Sequence, residues 1–357
     1  MTSKERVQYS MAHEQPDYPP CDYFGTPEIY EALYTFFNIR QDNRLRELLG
    51  TDIRYINPPY NGPALTEYED GSKTNIWGIV TKPMPNEYGD YEEPVNLPYA
   101  EWKSVEEAKK FPWPDPDWYD YEALPELCSR FPDKAIAIGD FSIQDFINST
   151  AFGRGVEQVL YDIALEDPVY LYIVEKRHKF YMEYIERCLK ECKGTIDIVL
   201  MGDDFGSQRG LLISPNSFDR LFAPKKKEMF DMVHSYGAYV SHHCCGSTVE
   251  LFPRFIQLGM DALQTIQPQA AGMNPYSLKK QYGDKITLHG GVDVQGWLQK
   301  AALEEIEKEV TQLLEIIGRN GGYILSPSHN IQPDTPFENV LELYRTISKF
   351  RGKNPRF

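Results

Sequence analysis

The stretch IDIVLMGDDFGSQRGLLISPNSFDRLFAPKKKEMFDMVHSYGAYVSHHCCGS, residues 196–247, decides the fold. Its apolar run Ile196–Met201 reads as a buried strand and ends in Gly202-Asp203-Asp204. Ser214 then caps a helix whose first residue is Pro215 and which runs to about Tyr236. Tyr239–His243 is the next strand, ending in Cys244-Cys245-Gly246.

The same alternation extends both ways. Upstream lie a strand at Ala135–Phe141, a helical stretch from Ile143 to about Leu165, and a helix from Pro168 to Cys192. Downstream come a helix to about Leu258, a strand at Ala262–Ile266 and a short helix near Pro275. A strand at Ile286–His289 ends in Gly290-Gly291, before a helix from about Leu303 to Ile317. Tyr323–Ser326 is the last clear strand, and Pro336 opens a terminal helix that reaches about Phe350. Consecutive strand–helix units argue for a parallel sheet. Periodicity alone leaves a closed barrel and a doubly wound sheet equally open.

The first third differs. Asp52–Ile56 reads as a strand. From Pro58 to Leu97 the chain is rich in Pro, Gly, Tyr and Asn, with one β-like run at Thr74–Thr81. The proline-rich FPWPDPDW, residues 111–118, cannot be regular helix or central strand. Residues 53–118 are therefore expected to be an irregular β-hairpin insertion over one end of a single domain spanning 1–357.

Composition limits the partners. The chain has 357 residues, 37 Lys+Arg and 53 Asp+Glu, a formal charge of −16. Such a surface repels a phosphate backbone, so nucleic acid is not an expected partner. Lys225-Lys226-Lys227, the densest basic cluster, reads as a solvated helix face. No apolar run reaches 18 residues, so no membrane span is expected. The opening MTSKERVQYSMAHEQ has no apolar core of a secretory signal. Six sparse cysteines fit a reducing cytoplasm, in which cysteines are core residues, metal ligands or nucleophiles. Cys188 and Cys192 read as structural.

Parallel α/β folds gather their chemistry at the carboxyl ends of strands. Asp140, Asp203, Asp204, His243, Cys245, Gln264, Gln267, His289, Asp293 and His329 all fall at or just past such ends. The sharpest element is SHHCCGS, residues 241–247. Side chains alternate along a strand, so His243 and Cys245 share a face while Cys244 points away. One imidazole and one thiolate on one face suit zinc, with His329 as the candidate third ligand. Asp203 and Asp204, in a glycine-flanked acidic turn, are the candidate acid–base or leaving-group carboxylates. Asp140, Gln264, Gln267 and His289 are candidate substrate contacts. Tyr23 joins them from the aromatic-rich start Tyr18–Phe37, which suits either packing or a pocket for a flat ligand.

The segments GDDFGSQRGLLISP, HHCCGS, IQPQAAGMNP, YGDKITLHGGVD and GGYILSPSHNIQPDTPFENV, in this order, resemble the uroporphyrinogen decarboxylase superfamily. They look most like its zinc- and corrinoid-dependent methyltransferase branch. The resemblance covers about Ala135 to Phe350. It implies a single (β/α)8 TIM barrel, which decides between the two open topologies. It also implies zinc on His243 and Cys245, and a corrinoid carried by a partner protein. That branch has a cysteine at the third ligand position, where this chain has His329. One thiolate and two neutral imidazoles leave a zinc site with about one net positive charge, a better Lewis acid than a two-thiolate site. The ligand set leans toward demethylation of a small methylated substrate, a methoxyaromatic above methanol or methylamines. The porphyrin decarboxylases use an Arg-bearing N-terminal loop, which PPCDYFGTPEIY does not match. Decarboxylation of a tetrapyrrole is the alternative activity, and non-catalytic corrinoid or tetrapyrrole binding the third reading. The oligomeric state is left open.

Overall fold

In the computed structural model, which describes residues 1–85, 87 and 89–357, seven strands form one curled parallel sheet. They are β1 (Ile53–Tyr55), β5 (Ala135–Gly139), β6 (Ile198–Gly202), β7 (Tyr239–His243), β8 (Ala262–Ile266), β9 (Thr287–Val292) and β10 (Tyr323–Pro327), neighbours in that order. The strands are short, and β5 to β10 are almost wholly buried, with helices between them, as both-face coverage requires. The extended chain at Cys21 holds the eighth position. The Asp22 N–H donates to the Leu325 carbonyl at 2.9 Å on one side, and the Asp52 N–H donates to the Cys21 carbonyl at 3.0 Å on the other. This is the TIM-barrel-like arrangement expected, with its eighth strand reduced to a bridge.

The insertion is a three-stranded antiparallel sheet of β2 (Lys73–Thr74), β3 (Val80–Pro85) and β4 (Asp90–Pro94). The expected single run at Thr74–Thr81 is broken. Asn75 Oδ1 accepts the N–H groups of Trp77 and Ile79 at 2.9 and 3.2 Å, and Gly78 takes φ +70°, so the middle folds into a turn. The exposed and acidic β4 carries no apolar alternation and is a strand only because β3 pairs with it.

Two helical expectations also change. The stretch from Ile143 is a turn up to Ile147, then two helices, Asn148–Arg154 and Val156–Leu165. Asp145 accepts the N–H groups of Asn148 and Ser149, which starts the helix there, and Gly155 at φ +92° breaks it. Nor is the triple-lysine cluster a solvated face. Lys225 and Lys227 pair with Glu175 and Asp231, but Lys226 is buried. Its ammonium donates to the Gln144 and Gly202 carbonyls at 2.8 and 3.1 Å and lies 3.6 Å from Asp203. Helical periodicity turns the middle lysine inward under the carboxyl end of β6. No helix among the described residues is long and apolar enough to cross a membrane.

Candidate metal centre

Alternation along β7 sorts its two histidines. His242 points outward into a dry layer, its ring stacked between Phe205 and Phe255. Burial pushes its imidazole well below the usual range, so it stays neutral. His243 points into the mouth. The alternation holds past the strand end: buried Cys244 accepts the Phe205 N–H at 3.2 Å on the outer side, and Cys245 returns to the face of His243.

His243 Nε2 lies 3.0 Å from Cys245 Sγ. His329, in the loop after β10, completes a group whose three ligating atoms lie within 4.8 Å of one another. Tetrahedral zinc bonds of ~2.0–2.1 Å to nitrogen and ~2.3 Å to sulfur set ligand atoms about 3.3–3.6 Å apart, so a small side-chain rotation closes this set around one ion. The neighbours fit that role. Gln264 Oε1 accepts a hydrogen bond from the His243 Nδ1–H, which fixes the tautomer with the Nε2 lone pair turned toward Cys245 and His329. Burial, then the neighbouring His243, lowers His329 to about 4, so its ring is neutral and free to ligate. Burial and Asp204 push the Cys245 thiol up, and metal coordination would oppose that.

Asp204 joins the centre. Its Oδ1 accepts the Cys245 N–H at 2.6 Å and lies 3.8 Å from His243 Nε2, while Oδ2 accepts from Asn148 at 2.9 Å. Asp203 does not. It is buried beneath β6, accepts the Ile147 N–H at 3.1 Å and faces Lys226. Burial raises the Asp203 carboxyl well above its ordinary value and lowers the Lys226 ammonium, each pulled back by the other.

Gln267 binds the Gly246 N–H at 2.7 Å and lines, with Cys245 and His329, a cavity of about 410 Å³. Tyr91 of the insertion reaches over that cavity to Gln332, at 2.7 Å. His289 is buried deeper, 3.7 Å from Asp22, and burial lowers it to about 3. Asp140 lies exposed at the end of β5, in a neighbouring cavity rather than at the metal ligands. Asp293 caps the turn after β9 through the Gln295 N–H at 2.8 Å.

Tyr23 is corrected. It is fully buried against Tyr30 and Tyr344 of the outer helices, away from the mouth. Period-two alternation from Cys21 turns Tyr23 outward and brings Asp22 and Phe24 inward, where both meet His289. That alternation was the signal in CDYF that points to Phe24. Phe141, whose ring lies 4.4 Å from that of His243, and Asn148 had no motif to mark them.

Replacing Gln264 with Leu removes the acceptor that fixes His243. Zinc affinity, read by competition with a chromophoric chelator, should fall roughly 10–100-fold while the fold persists. An unchanged affinity would show that Gln264 does not orient the ligand.

The family model "Uroporphyrinogen decarboxylase (URO-D)" matches residues 153–350, more than half of the chain. Among curated proteins, uroporphyrinogen decarboxylase of Geotalea daltonii is 23% identical over 185 residues, 51% of this chain and 49% of that one. That of Mannheimia succiniciproducens is 33% identical over 106 residues, 29% of each. That of Coxiella burnetii is 30% identical over 78 residues, 22% of this chain and 21% of the relative. The chain thus spans at most about half the length of these curated relatives. Among solved structures, a methyltransferase from Methanosarcina mazei superposes with a TM-score of 0.66 at 17% identity, covering 98% of this chain and 99% of that one, so the two share a fold. The family model covers more than half of the chain, from 153 to 350, and the chain belongs to the uroporphyrinogen decarboxylase family.

Proposed function

We propose that the protein is a zinc-dependent methyltransferase that moves a methyl group between a small methylated substrate, a methoxyaromatic above others, and a corrinoid carried by a partner protein. The observation that carries this reading is the convergence of His243, Cys245 and His329 at the mouth of the barrel. Zinc held there supplies Lewis-acid polarisation of the atom that leaves the methyl group. Gln264 orients His243, and Asp204 holds the Cys245 backbone through its N–H. Asp204 is also the half-buried carboxylate beside the ligands, placed to hold a proton for a departing oxygen. Asp203, paired with Lys226, positions the β6 end and is assigned no contact with substrate.

The names of the curated relatives favour a second reading, uroporphyrinogen decarboxylation. Against it, residues 18–37 contain no Arg or Lys to hold the carboxylates of a porphyrinogen. Zinc-loaded protein mixed with a cob(I)alamin carrier should methylate the corrinoid from a methoxyaromatic, read by absorbance. It should form coproporphyrinogen far more slowly than about 1 per second. Reaction with methanol or methyl thiols but no methoxyaromatic would end the demethylase reading. Inactivity with all donors would end methyl transfer, and rapid coproporphyrinogen formation would install the second reading.

A further inference from the structure

The helix Val156–Leu165 is apolar on more sides than its place requires. It stands between the helices Asn148–Arg154 and Pro168–Cys192. Val159, Asp162 and Ile163 point inward. The inward carboxylate is used locally: Asp162 pairs with buried Arg154 and accepts from Gln158 Nε2 at 2.7 Å. The outward side is the unusual one. Leu165 is 78% exposed, Val156 63% and Tyr161 59%, and Leu160 and Ala164 are exposed as well. Glu157 is the one charged residue among the outward positions of this helix. The five apolar positions sweep about half of the helix circumference. A helix with apolar side chains on opposite sides belongs inside a structure, not at its edge.

Leu97 extends the face. Its Cδ1 lies 3.8 Å from where a Cβ on Gly155, the residue before the helix, would stand, and its side chain is exposed. The large side chains Leu97, Val156, Leu160, Tyr161 and Leu165 leave on the order of 500 Å² of apolar surface in water, against about 800 Å² that each partner buries in a standard interface. A polar rim supplies the remainder in such interfaces.

The order of residues along the helix selects the occupant. A copy turned end for end, with the two-fold axis between Leu160 and Tyr161, sets Val156 opposite Leu165, Leu160 opposite Tyr161 and Glu157 opposite Ala164. Each large apolar residue of the helix then meets another. Glu157 meets a methyl group and stands about 10 Å along the axis from its own mate. Glu166, just past the helix end, is paired with Arg220. The face therefore sets no like charges against each other, although each chain bears −16. It offers a charged partner nothing to complement. A two-fold contact needs only this one patch and closes on itself.

We infer that the outward face of the helix Val156–Leu165 is the interface of a two-fold homodimer, in which the two copies of this helix pack antiparallel. The inference does not depend on the proposed reaction. Sedimentation velocity on the full chain tests it. The unaltered protein should run as a pair of 41.2 kDa chains at micromolar concentration. Leu165→Glu and Tyr161→Glu each place two carboxylates in the contact by symmetry, and each should raise the dissociation constant roughly 100-fold or more. Both positions are exposed, so the variants should fold, with an unchanged circular dichroism spectrum. Leu160→Cys reads the register: a short bismaleimide should join two copies through it, and should not join them through Lys190→Cys on the exposed side of the next helix. A monomer at every concentration would overturn the inference, as would a dimer that survives both glutamate variants. So would a monomer that binds a corrinoid carrier and loses it in Leu165→Glu, because the face then belongs to that carrier. A dimer broken by the glutamates but not joined through Leu160→Cys would overturn the antiparallel pairing.

Discussion

Protein purified with zinc should hold about one ion per chain, and His243→Ala should lose it. The expectation follows from the donor set. Removing one of three protein ligands leaves an incomplete site, and His243 is the one whose orientation is fixed by a partner, Gln264. Cys245→Ser should have a comparable effect, because it removes the thiolate that favours zinc over hard cations. His329→Ala should be milder if water replaces the ring. Metal content by mass spectrometry, with the fold checked by circular dichroism, reads all three. Full retention of zinc in His243→Ala, in a folded protein, would place the metal elsewhere. Retention in His329→Ala alone would remove only the third ligand, and Asp204 would then be the next candidate, since it already lies 3.8 Å from His243 Nε2.

Lys226→Met should destabilise the protein by about 3–5 kcal/mol, the range for stripping one partner from a buried charged pair. The change leaves Asp203 buried without its cation and takes the donor from two carbonyls, Gln144 and Gly202. Methionine keeps most of the volume, so the loss reports on charge and hydrogen bonding more than on a cavity. Denaturant unfolding would measure it. Asp203→Asn in the same background should recover part of the loss, because the orphaned carboxylate is then gone. A change of less than about 1 kcal/mol in Lys226→Met would mean that Asp203 is already neutral and the pair carries little charge.

The sequence by itself determined the alternating order of strands and helices, because short strand-forming runs alternate along it with longer stretches opened by Pro or a capping residue. Ile198–Gly202, Tyr239–His243 and Ala262–Ile266 stand within two residues of where their composition put them. It also determined which of His242 and His243, and which of Cys244 and Cys245, share a face, because side-chain alternation is a property of the backbone alone. The same rule applied to CDYF would have turned Tyr23 outward.

Only the tertiary structure decided the rest. That His329 meets His243 depends on a barrel that brings the ends of β7 and β10 to one mouth across 86 residues of chain, a distance that no local pattern encodes. Asp203 and Asp204 are neighbours of identical chemistry, and only packing turns one toward Lys226 and the other toward Cys245. Lys226 and Arg177 are cations that composition places on the surface. Each is buried because a helix face meets the barrel there, and burial is set by what lies opposite a residue rather than by the residue itself.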